Sequence, residues 1–122
     1  MVNEEQSVYT DDYDDGFNKF FEDIKKNPQY DSEVIKKAYD LARDAHKNQR
    51  RRSGEPYIMH PVAVAEILYK LGMDNECIVG ALLHDVVEDT QYDLEYIRKE
   101  FGDEVALLVD GVTKLGQIPL ST

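Results

Sequence analysis

A short segment with an aliphatic side and an ionisable side most constrains what this chain can fold into. The segment Leu82–Thr90 reads Leu-Leu-His-Asp-Val-Val-Glu-Asp-Thr and ends an apolar run that begins near Cys77. At about 100° per residue, a helix here would collect its aliphatic side chains on one arc, which must be buried. The opposite arc would hold one imidazole and three carboxylates: His84, Asp85, Glu88 and Asp89. The sequence therefore predicts a core helix that carries a cluster of ionisable groups within two turns.

The composition of this ionisable cluster indicates a divalent metal. Three carboxylates so close together repel one another, and a cation among them relieves the repulsion. Histidine together with carboxylate is a common ligand set for catalytic divalent metals. The alternative is a solvated acidic face after a core helix, with His84 an ordinary hydrogen-bonded histidine. The adjacent His84-Asp85 pair, followed one turn later by two more carboxylates, favours the metal interpretation.

The length and charge of the chain exclude several function classes. The 122 residues suit one domain or part of one, and their formal net charge is -11. With no basic excess to neutralise phosphates, neither general nucleic-acid binding nor attachment to an anionic membrane is expected. The polar, acidic N-terminus has no signal-peptide hydrophobic region, and no apolar run approaches membrane-spanning length. These features predict a cytoplasmic protein.

Periodicity and capping residues predict an all-α domain. Residues 1–13 resemble an acidic tail, and residues 14–122 carry helical patterns separated by short turns. Suitable N-cap residues precede four of these patterns: Asp31 or Ser32, then Asp74, then Asp93, then Asp103. No convincing alternating strand, internal repeat or low-complexity linker is present. About six helices joined by short capped turns therefore form a helical bundle.

Two further histidines lie outside the central segment. His46 continues the apolar row of Ala38 and Ala42 on the second predicted helix, so packing or a supporting hydrogen bond is its expected role. His60 precedes Pro61, a residue that favours the first turn of a helix, so its imidazole would be held at a helix start. That position suits a metal ligand, although a simple cap or a surface residue is the alternative.

A basic loop stands out in this acidic chain. Three consecutive arginines are followed by Ser53-Gly54-Glu55-Pro56-Tyr57, where glycine and proline indicate a loop. The planar guanidinium of arginine can bind a phosphate through two hydrogen bonds or stack on a base. A basic helix C-terminus that complements the helix dipole is an equally good explanation of the arginines alone.

Taken together, these motifs resemble a known family. His60 and the His84-Asp85 pair, on consecutive predicted helices, resemble the first three ligands of the HD-superfamily metal site. Four segments, in order over roughly residues 34–120, make the resemblance specific to one family within this superfamily. They are Arg51–Pro61, Ala81–Thr90, Phe101-Gly102 and Val109–Leu115. At this spacing they are similar to the N-terminal hydrolase domain of the RelA/SpoT alarmone enzymes.

This resemblance implies an activity and a set of roles. The reaction would be Mn²⁺-dependent hydrolysis of the 3′-pyrophosphate of ppGpp and pppGpp, giving GDP or GTP and pyrophosphate. The implied metal ligands are His60, His84 and Asp85. The implied catalytic residues, which position or deprotonate the attacking water, are Glu88 and Asp89. The implied nucleotide-binding residues are Arg51 and Arg52, with Ser53 and Tyr57 in the same loop.

One departure from the family pattern sets a further expectation. In the family the last metal-ligating Asp follows the Val-Thr-Lys-Leu motif on a later helix, and no residue up to Thr122 matches it. The resemblance therefore implies the N-terminal part of a longer protein, whose remainder could also synthesise ppGpp as a GTP pyrophosphokinase. Alone, the chain is expected to bind Mn²⁺ weakly, to turn over ppGpp poorly, and to self-associate through an exposed apolar face.

Three other interpretations of the sequence are open. The first is a catalytically silent HD domain that serves as a regulatory nucleotide-binding module. The second is an HD phosphohydrolase that acts on another nucleotide, which the loop from Arg51 to Tyr57 disfavours. The third is a helical interaction domain with no ligand, which the His84-Asp85 cluster disfavours.

Overall fold

The fold is all-α, as the sequence predicts. A computed structural model describes residues 11–50 and 52–116, with the side chains of 16–50, 52–88 and 90–114. The helices are α1 (Asp11–Lys25), α2 (Ser32–Ala45), α3 (Met59–Lys70), α4 (Asn75–Leu83), α5 (Val86–Asp89), α6 (Leu94–Phe101) and α7 (Asp103–Gly116). Within that part of the chain the only extended pairing is an isolated bridge between Arg50 and Pro56. None of the described helices is both long and apolar enough to cross a membrane.

Aspartates cap three of the helices, which confirms three of the four capping predictions, whereas Asp103 is itself the first residue of α7. The carboxylate of Asp31 accepts a hydrogen bond of 3.3 Å from the backbone N–H of Val34. Asp74 accepts one of 3.0 Å from Cys77 at the start of α4. Asp93 accepts one of 2.9 Å from the backbone N–H of Tyr96 at the start of α6. Each bond satisfies an N–H that has no partner within its own helix.

Helix α4 forms the centre of the bundle and contacts α2, α3 and α7. Its core side chains include Ile78, Val79, Leu82 and Leu83, all fully buried. A helix surrounded in this way is apolar over most of its surface, which explains the run that begins near Cys77. The His84-Asp85 pair follows the C-terminal end of this buried helix directly.

The central helix differs from the continuous helix that we expected. Helix α4 ends at Leu83, His84 and Asp85 form a turn, and α5 is a separate segment of 4 residues. Both turn residues keep right-handed dihedral angles, with φ -61° and ψ -31° at His84 and φ -97° and ψ -4° at Asp85. Periodicity does not detect such a turn because the local backbone remains close to helical.

Two other boundaries also differ from expectation. Helix α1 begins at Asp11, so residues 11–13 are helical rather than part of the predicted tail. Helix α3 begins at Met59, which places His60 second and Pro61 third in the helix. Proline is tolerated there because an N–H in the first turn has no acceptor within the helix.

Candidate functional site

Three of the predicted ligands converge at one end of the bundle. His60 lies in the first turn of α3, and His84 and Asp85 form the turn between α4 and α5. One potential ligand atom from each residue lies within 4.8 Å of the other two. Nε2 of His84 is 3.0 Å from Oδ2 of Asp85, and Nε2 of His60 is 3.7 Å from the same oxygen. The close packing of α3 and α4 brings these side chains together across 24 positions of sequence.

The ring of His84 is oriented by the end of its own helix. Its Nδ1 lies 2.6 Å from the carbonyl oxygen of Ala81 in the last turn of α4. A carbonyl can only accept a hydrogen bond, so Nδ1 carries a proton. Nε2 is then directed toward Asp85. A histidine that donates one ring N–H to a carbonyl and offers the other nitrogen to the site has the geometry of a metal ligand.

The carboxylate of Asp85 is fixed by Tyr57. The Tyr57 hydroxyl donates a hydrogen bond of 2.6 Å to Oδ2, and the Asp85 side chain is only 15% exposed. Burial acts to raise the pKa of Asp85. The hydrogen bonds from His84 and Tyr57, with the nearby charges of His84 and His60, outweigh burial and lower this pKa to about 2. Asp85 is therefore ionised at neutral pH, which is the form that a metal ligand requires.

The geometry of the three side chains fits a divalent metal. Donor atoms bound to one ion at about 2.1 Å lie about 3 to 4 Å apart. The distances of 3.0 Å and 3.7 Å from the two imidazole nitrogens to Oδ2 of Asp85 fall in this range. His84 is placed between two groups that can only accept, the Ala81 carbonyl and the Asp85 carboxylate. Two arrangements would satisfy both acceptors. In one, the imidazole is protonated on both nitrogens and donates to each acceptor; in the other, Nδ1 donates to the carbonyl while Nε2 and the Asp85 carboxylate bind the same cation. The three side chains therefore form a candidate metal site.

A second acidic group is a weaker candidate for a metal. Asp74, Glu76 and Glu104 also bring one ligand atom each to within 4.8 Å of the others. This group contains no imidazole, and Asp74 and Glu104 are exposed. Exposed carboxylates are well solvated and often meet without any ion. The group with two histidines is therefore the candidate metal centre.

A cavity of about 600 Å³ adjoins the metal centre. Its lining residues are Arg50, Arg52, Ser53, Glu55 and Tyr57. The loop that forms it folds back on itself, since the Arg50 guanidinium donates a hydrogen bond of 2.6 Å to the Gly54 carbonyl. Gly54 adopts φ 94°, a conformation that favours glycine. Tyr57 both lines the cavity and bonds to Asp85, so the cavity and the metal centre share one side chain.

The predicted site residues fall into three groups in the structure. His60, His84, Asp85 and Tyr57 are brought together, and Arg52 and Ser53 line the adjoining cavity. Glu88 is exposed on α5 and is not a member of the group of three converging ligands. Arg51 and the side chain of Asp89 lie outside the described residues. The roles assigned to all of these residues stay predictions, and for Glu88, Asp89 and Arg51 the structure adds no supporting contact within the described residues.

Sequence reasoning missed several residues that shape the site. Glu55 accepts a hydrogen bond of 2.7 Å from the Ser53 hydroxyl, and Arg50 holds the loop closed. The Ala81 carbonyl orients His84. The Arg50 and Glu55 contacts follow from the Gly54 turn, which the sequence did indicate. The Ala81 contact requires the end of α4 at Leu83, which periodicity did not reveal.

Comparison with known proteins gives consistent results. The HD domain family model matches residues 38–122. A probable GTP pyrophosphokinase from Mycobacterium leprae is 54% identical over 95 residues, 78% of this chain and 12% of the relative. A guanosine-3′,5′-bis(diphosphate) 3′-pyrophosphohydrolase from Aquifex aeolicus is 50% identical over 101 residues, 80% of this chain and 14% of the relative. One of the same name from Haemophilus influenzae is 56% identical over 82 residues, 67% of this chain and 12% of the relative. The chain thus spans about one eighth of the length of these relatives.

Proposed function

Because this chain belongs to the HD-domain family and, within it, to the RelA/SpoT alarmone enzymes, we propose that it contributes to hydrolysis of ppGpp and pppGpp. The 3′-pyrophosphate would leave as pyrophosphate, and the other product would be GDP or GTP. One observation carries the proposal: Tyr57 connects an arginine-lined cavity to the centre formed by His60, His84 and Asp85. A phosphorylated substrate in this cavity would place its reacting phosphate beside those ligands.

The proposed metal is Mn²⁺, held by His60, His84 and Asp85. Mn²⁺ accepts mixed imidazole and carboxylate ligands, as this donor set offers. When bound it would neutralise phosphate charge and make water a better nucleophile. Three protein ligands converge in the described residues, which is consistent with the expectation that a fourth, an Asp, is supplied from beyond Thr122.

The basic loop would bind the substrate. A substrate with several phosphates is strongly anionic, and the chain has a net charge of -11, so local cations are needed to attract it. Arg52 is exposed at the cavity, and Arg51 is its neighbour in the sequence. The Arg50 guanidinium already bonds to Gly54, which favours a role in shaping the loop. Ser53 bonds to Glu55 and would present its hydroxyl oxygen as an acceptor for a substrate O–H or N–H.

Two carboxylates would handle the attacking water. Glu88 follows His84 by one helical turn, and Asp89 follows Asp85 by the same interval. A carboxylate within hydrogen-bond reach of the water can accept its proton, which is general-base catalysis. The exposed position of Glu88 allows its side chain to turn toward the cavity when substrate is bound.

Several properties of the whole protein are part of the same proposal. We propose a cytoplasmic enzyme whose longer form also acts as a GTP pyrophosphokinase, the name that some relatives carry. We further propose that residues 1–122 alone hydrolyse ppGpp poorly and self-associate. Apolar side chains that would support self-association are exposed, with Leu107 at 71% and Leu71 at 66%.

A direct assay tests the proposed reaction. Mn²⁺-dependent release of pyrophosphate from ppGpp would be measured for this chain and for a chain extended by about a hundred residues, the scale of one more small domain. Activity in the extended chain that is absent with other nucleotides would support the proposal. Binding of ppGpp without pyrophosphate release by either chain would instead favour the silent regulatory module. Release from a different nucleotide would favour another HD phosphohydrolase.

A further inference from the structure

We propose that His46 is a positioning residue that fixes the ring of Tyr57 and, through it, the carboxylate of Asp85. This inference deepens the proposed function, because it rests on the same metal centre. His46 lies at the C-terminus of α2 and is 0% exposed. It is the only charged or polar residue among the fully buried side chains of the described part.

The burial of an imidazole at this position calls for an explanation beyond core filling. An apolar side chain would fill the same volume without the cost of removing polar atoms from water. The ring is held in a fixed orientation, since Nδ1 lies 3.0 Å from Oε1 of Gln49. An amide oxygen can only accept, so the proton lies on Nδ1 of His46. Gln49 thus sets both the tautomer and the plane of the ring.

Tyr57 is held against His46 at two places. The ring centroids of His46 and Tyr57 lie 4.7 Å apart, with an interplanar angle of 37°. The backbone N–H of Tyr57 donates a hydrogen bond of 2.9 Å to the carbonyl of Gln49. Gln49 therefore binds the His46 ring through its side chain and the Tyr57 backbone through its main chain. Both rings are therefore held by contacts with the segment that follows α2.

The far end of Tyr57 reaches the metal centre. Its hydroxyl donates to Asp85, and its ring lies edge-on to His60, with centroids 5.7 Å apart. A row of four rings consequently runs from the buried end of α2 to the ligands: His46, Tyr57, His60 and His84. A tilt of the Tyr57 ring would displace its hydroxyl and weaken the bond that orients Asp85. Groups that orient a ligand in this way typically change metal affinity by about 10- to 100-fold.

A double-mutant cycle tests the proposal on residues 1–122. His46→Gln removes the ring but keeps a polar group, and Tyr57→Phe keeps the ring but removes the hydroxyl. The dissociation constant for Mn²⁺ would be measured by calorimetry for both single variants and for the double variant. We expect each single change to weaken Mn²⁺ binding about tenfold, and the double change to weaken it no more than the larger single effect.

A second readout does not depend on any metal. The ¹³Cγ chemical shift of Asp85 in the metal-free chain reports the hydrogen bond from Tyr57, and His46→Gln should move it toward its value in Tyr57→Phe. Tyr69→Phe is the matched control, because Tyr69 donates a similar hydrogen bond of 2.5 Å to Asp23 elsewhere in the bundle. This control should change neither the Asp85 shift nor the affinity for Mn²⁺.

The outcomes separate this inference from the proposed function. An Asp85 shift that His46→Gln leaves unchanged, or losses in affinity that simply add, would overturn the positioning role. If His46→Gln changes the Asp85 chemical shift but the protein releases no pyrophosphate from ppGpp, the positioning role stands and the proposed hydrolysis is wrong. If His46→Gln does not fold, Gln49→Met serves instead, since Gln49 is only half-buried and its change frees the His46 ring. An unchanged Asp85 shift in that variant would equally overturn the proposal.

Discussion

The hydroxyl of Tyr57 donates a hydrogen bond of 2.6 Å to Asp85, 28 residues further along the chain. This bond joins the loop that lines the cavity to the turn that holds the candidate metal ligands. It gives a side chain of the proposed substrate-binding loop a second role, which is to orient a ligand. Substitutions in the loop and substitutions in the turn should therefore have separable effects on the affinity for nucleotide and the affinity for metal.

Asp85→Asn should strongly weaken Mn²⁺ binding while leaving the fold intact. Asparagine preserves the size of the side chain but removes the negative charge that stands between His60 and His84. We expect the affinity for Mn²⁺ to fall at least about 100-fold, the upper end of effects on ligand environments. Calorimetric titration measures this, and far-UV circular dichroism verifies the helices. Unchanged Mn²⁺ affinity in a folded variant would mean that Asp85 is not a ligand.

Arg52→Ala should weaken nucleotide binding and spare the metal site. Arg52 is exposed at the cavity, and a charge-assisted hydrogen bond to phosphate is worth about 1.5 to 3 kcal/mol. We expect ppGpp to bind at least about tenfold more weakly, as measured by calorimetry in the presence of Mn²⁺. Arg98→Ala is the matched control, because Arg98 pairs with Glu95 and Asp103 on another surface. If both variants lose the same affinity for ppGpp, the net charge of the protein matters and a specific binding loop at Arg52 is not supported.

Glu88→Gln should slow the reaction without changing substrate binding. The amide keeps the shape of the side chain but cannot accept a proton from water, and such a loss typically costs about 100-fold or more in rate. In the extended chain, kcat for pyrophosphate release should fall by about that factor while KM stays nearly constant. Glu95→Gln, an exposed change on α6, should leave both constants alone. A kcat close to that of the parent would leave Asp89 as the sole candidate base.

The cap of α4 should make stability depend on pH in the acid range. Hydrogen bonds from the thiol and backbone N–H of Cys77 lower the pKa of Asp74 below its usual 3.8. Because the folded-state pKa is the lower one, the carboxylate stabilises the fold above pH about 4, and this contribution is lost as the pH falls through the folded value. Urea unfolding of the parent and Asp74→Asn should differ at pH 6, and the difference should shrink as the pH falls below about 4.

Removal of the Asp74 cap should also destabilise the chain at neutral pH. Asp74→Ala should lower the free energy of unfolding by about 1 kcal/mol, as loss of an N-cap does. Asp74→Asn should cost less because asparagine is itself a good N-cap. Equal losses from the two substitutions would show that charge, and not the hydrogen bond to the Cys77 N–H, dominates the cap.

An exposed leucine on α7 should control self-association. Leu107 is 71% exposed, so Leu107→Glu removes apolar surface without disturbing the core. Sedimentation velocity at about 100 µM should show a larger monomer fraction for this variant, with an unchanged melting temperature. Ile67→Glu makes the same change on α3, where the side chain is 58% exposed. If only the α3 change shifts the distribution, the associating face lies on α3 and our assignment to α7 is wrong.

The sequence determined the helices and the chemical character of the site. Periodicity and capping aspartates depend on contacts within about four residues, and the observed caps at Asp31, Asp74 and Asp93 follow from them. The histidine and carboxylate types in the central segment were likewise sufficient to indicate a metal. The same local rules failed at His84, where the turn keeps near-helical dihedral angles and leaves no signal in the pattern.

Only the tertiary structure decided how the site is held together. The hydrogen bond from Tyr57 to Asp85, the approach of His60 to Asp85, and the contact of His46 with Tyr57 each join separate elements of the fold. Their geometry depends on how α2, α3 and the end of α4 pack around a shared core. No local pattern encodes that packing, because it follows from the shapes of buried side chains distant in sequence. The chain therefore specifies the candidate ligands through local sequence, and their orientation through contacts between distant parts of the fold.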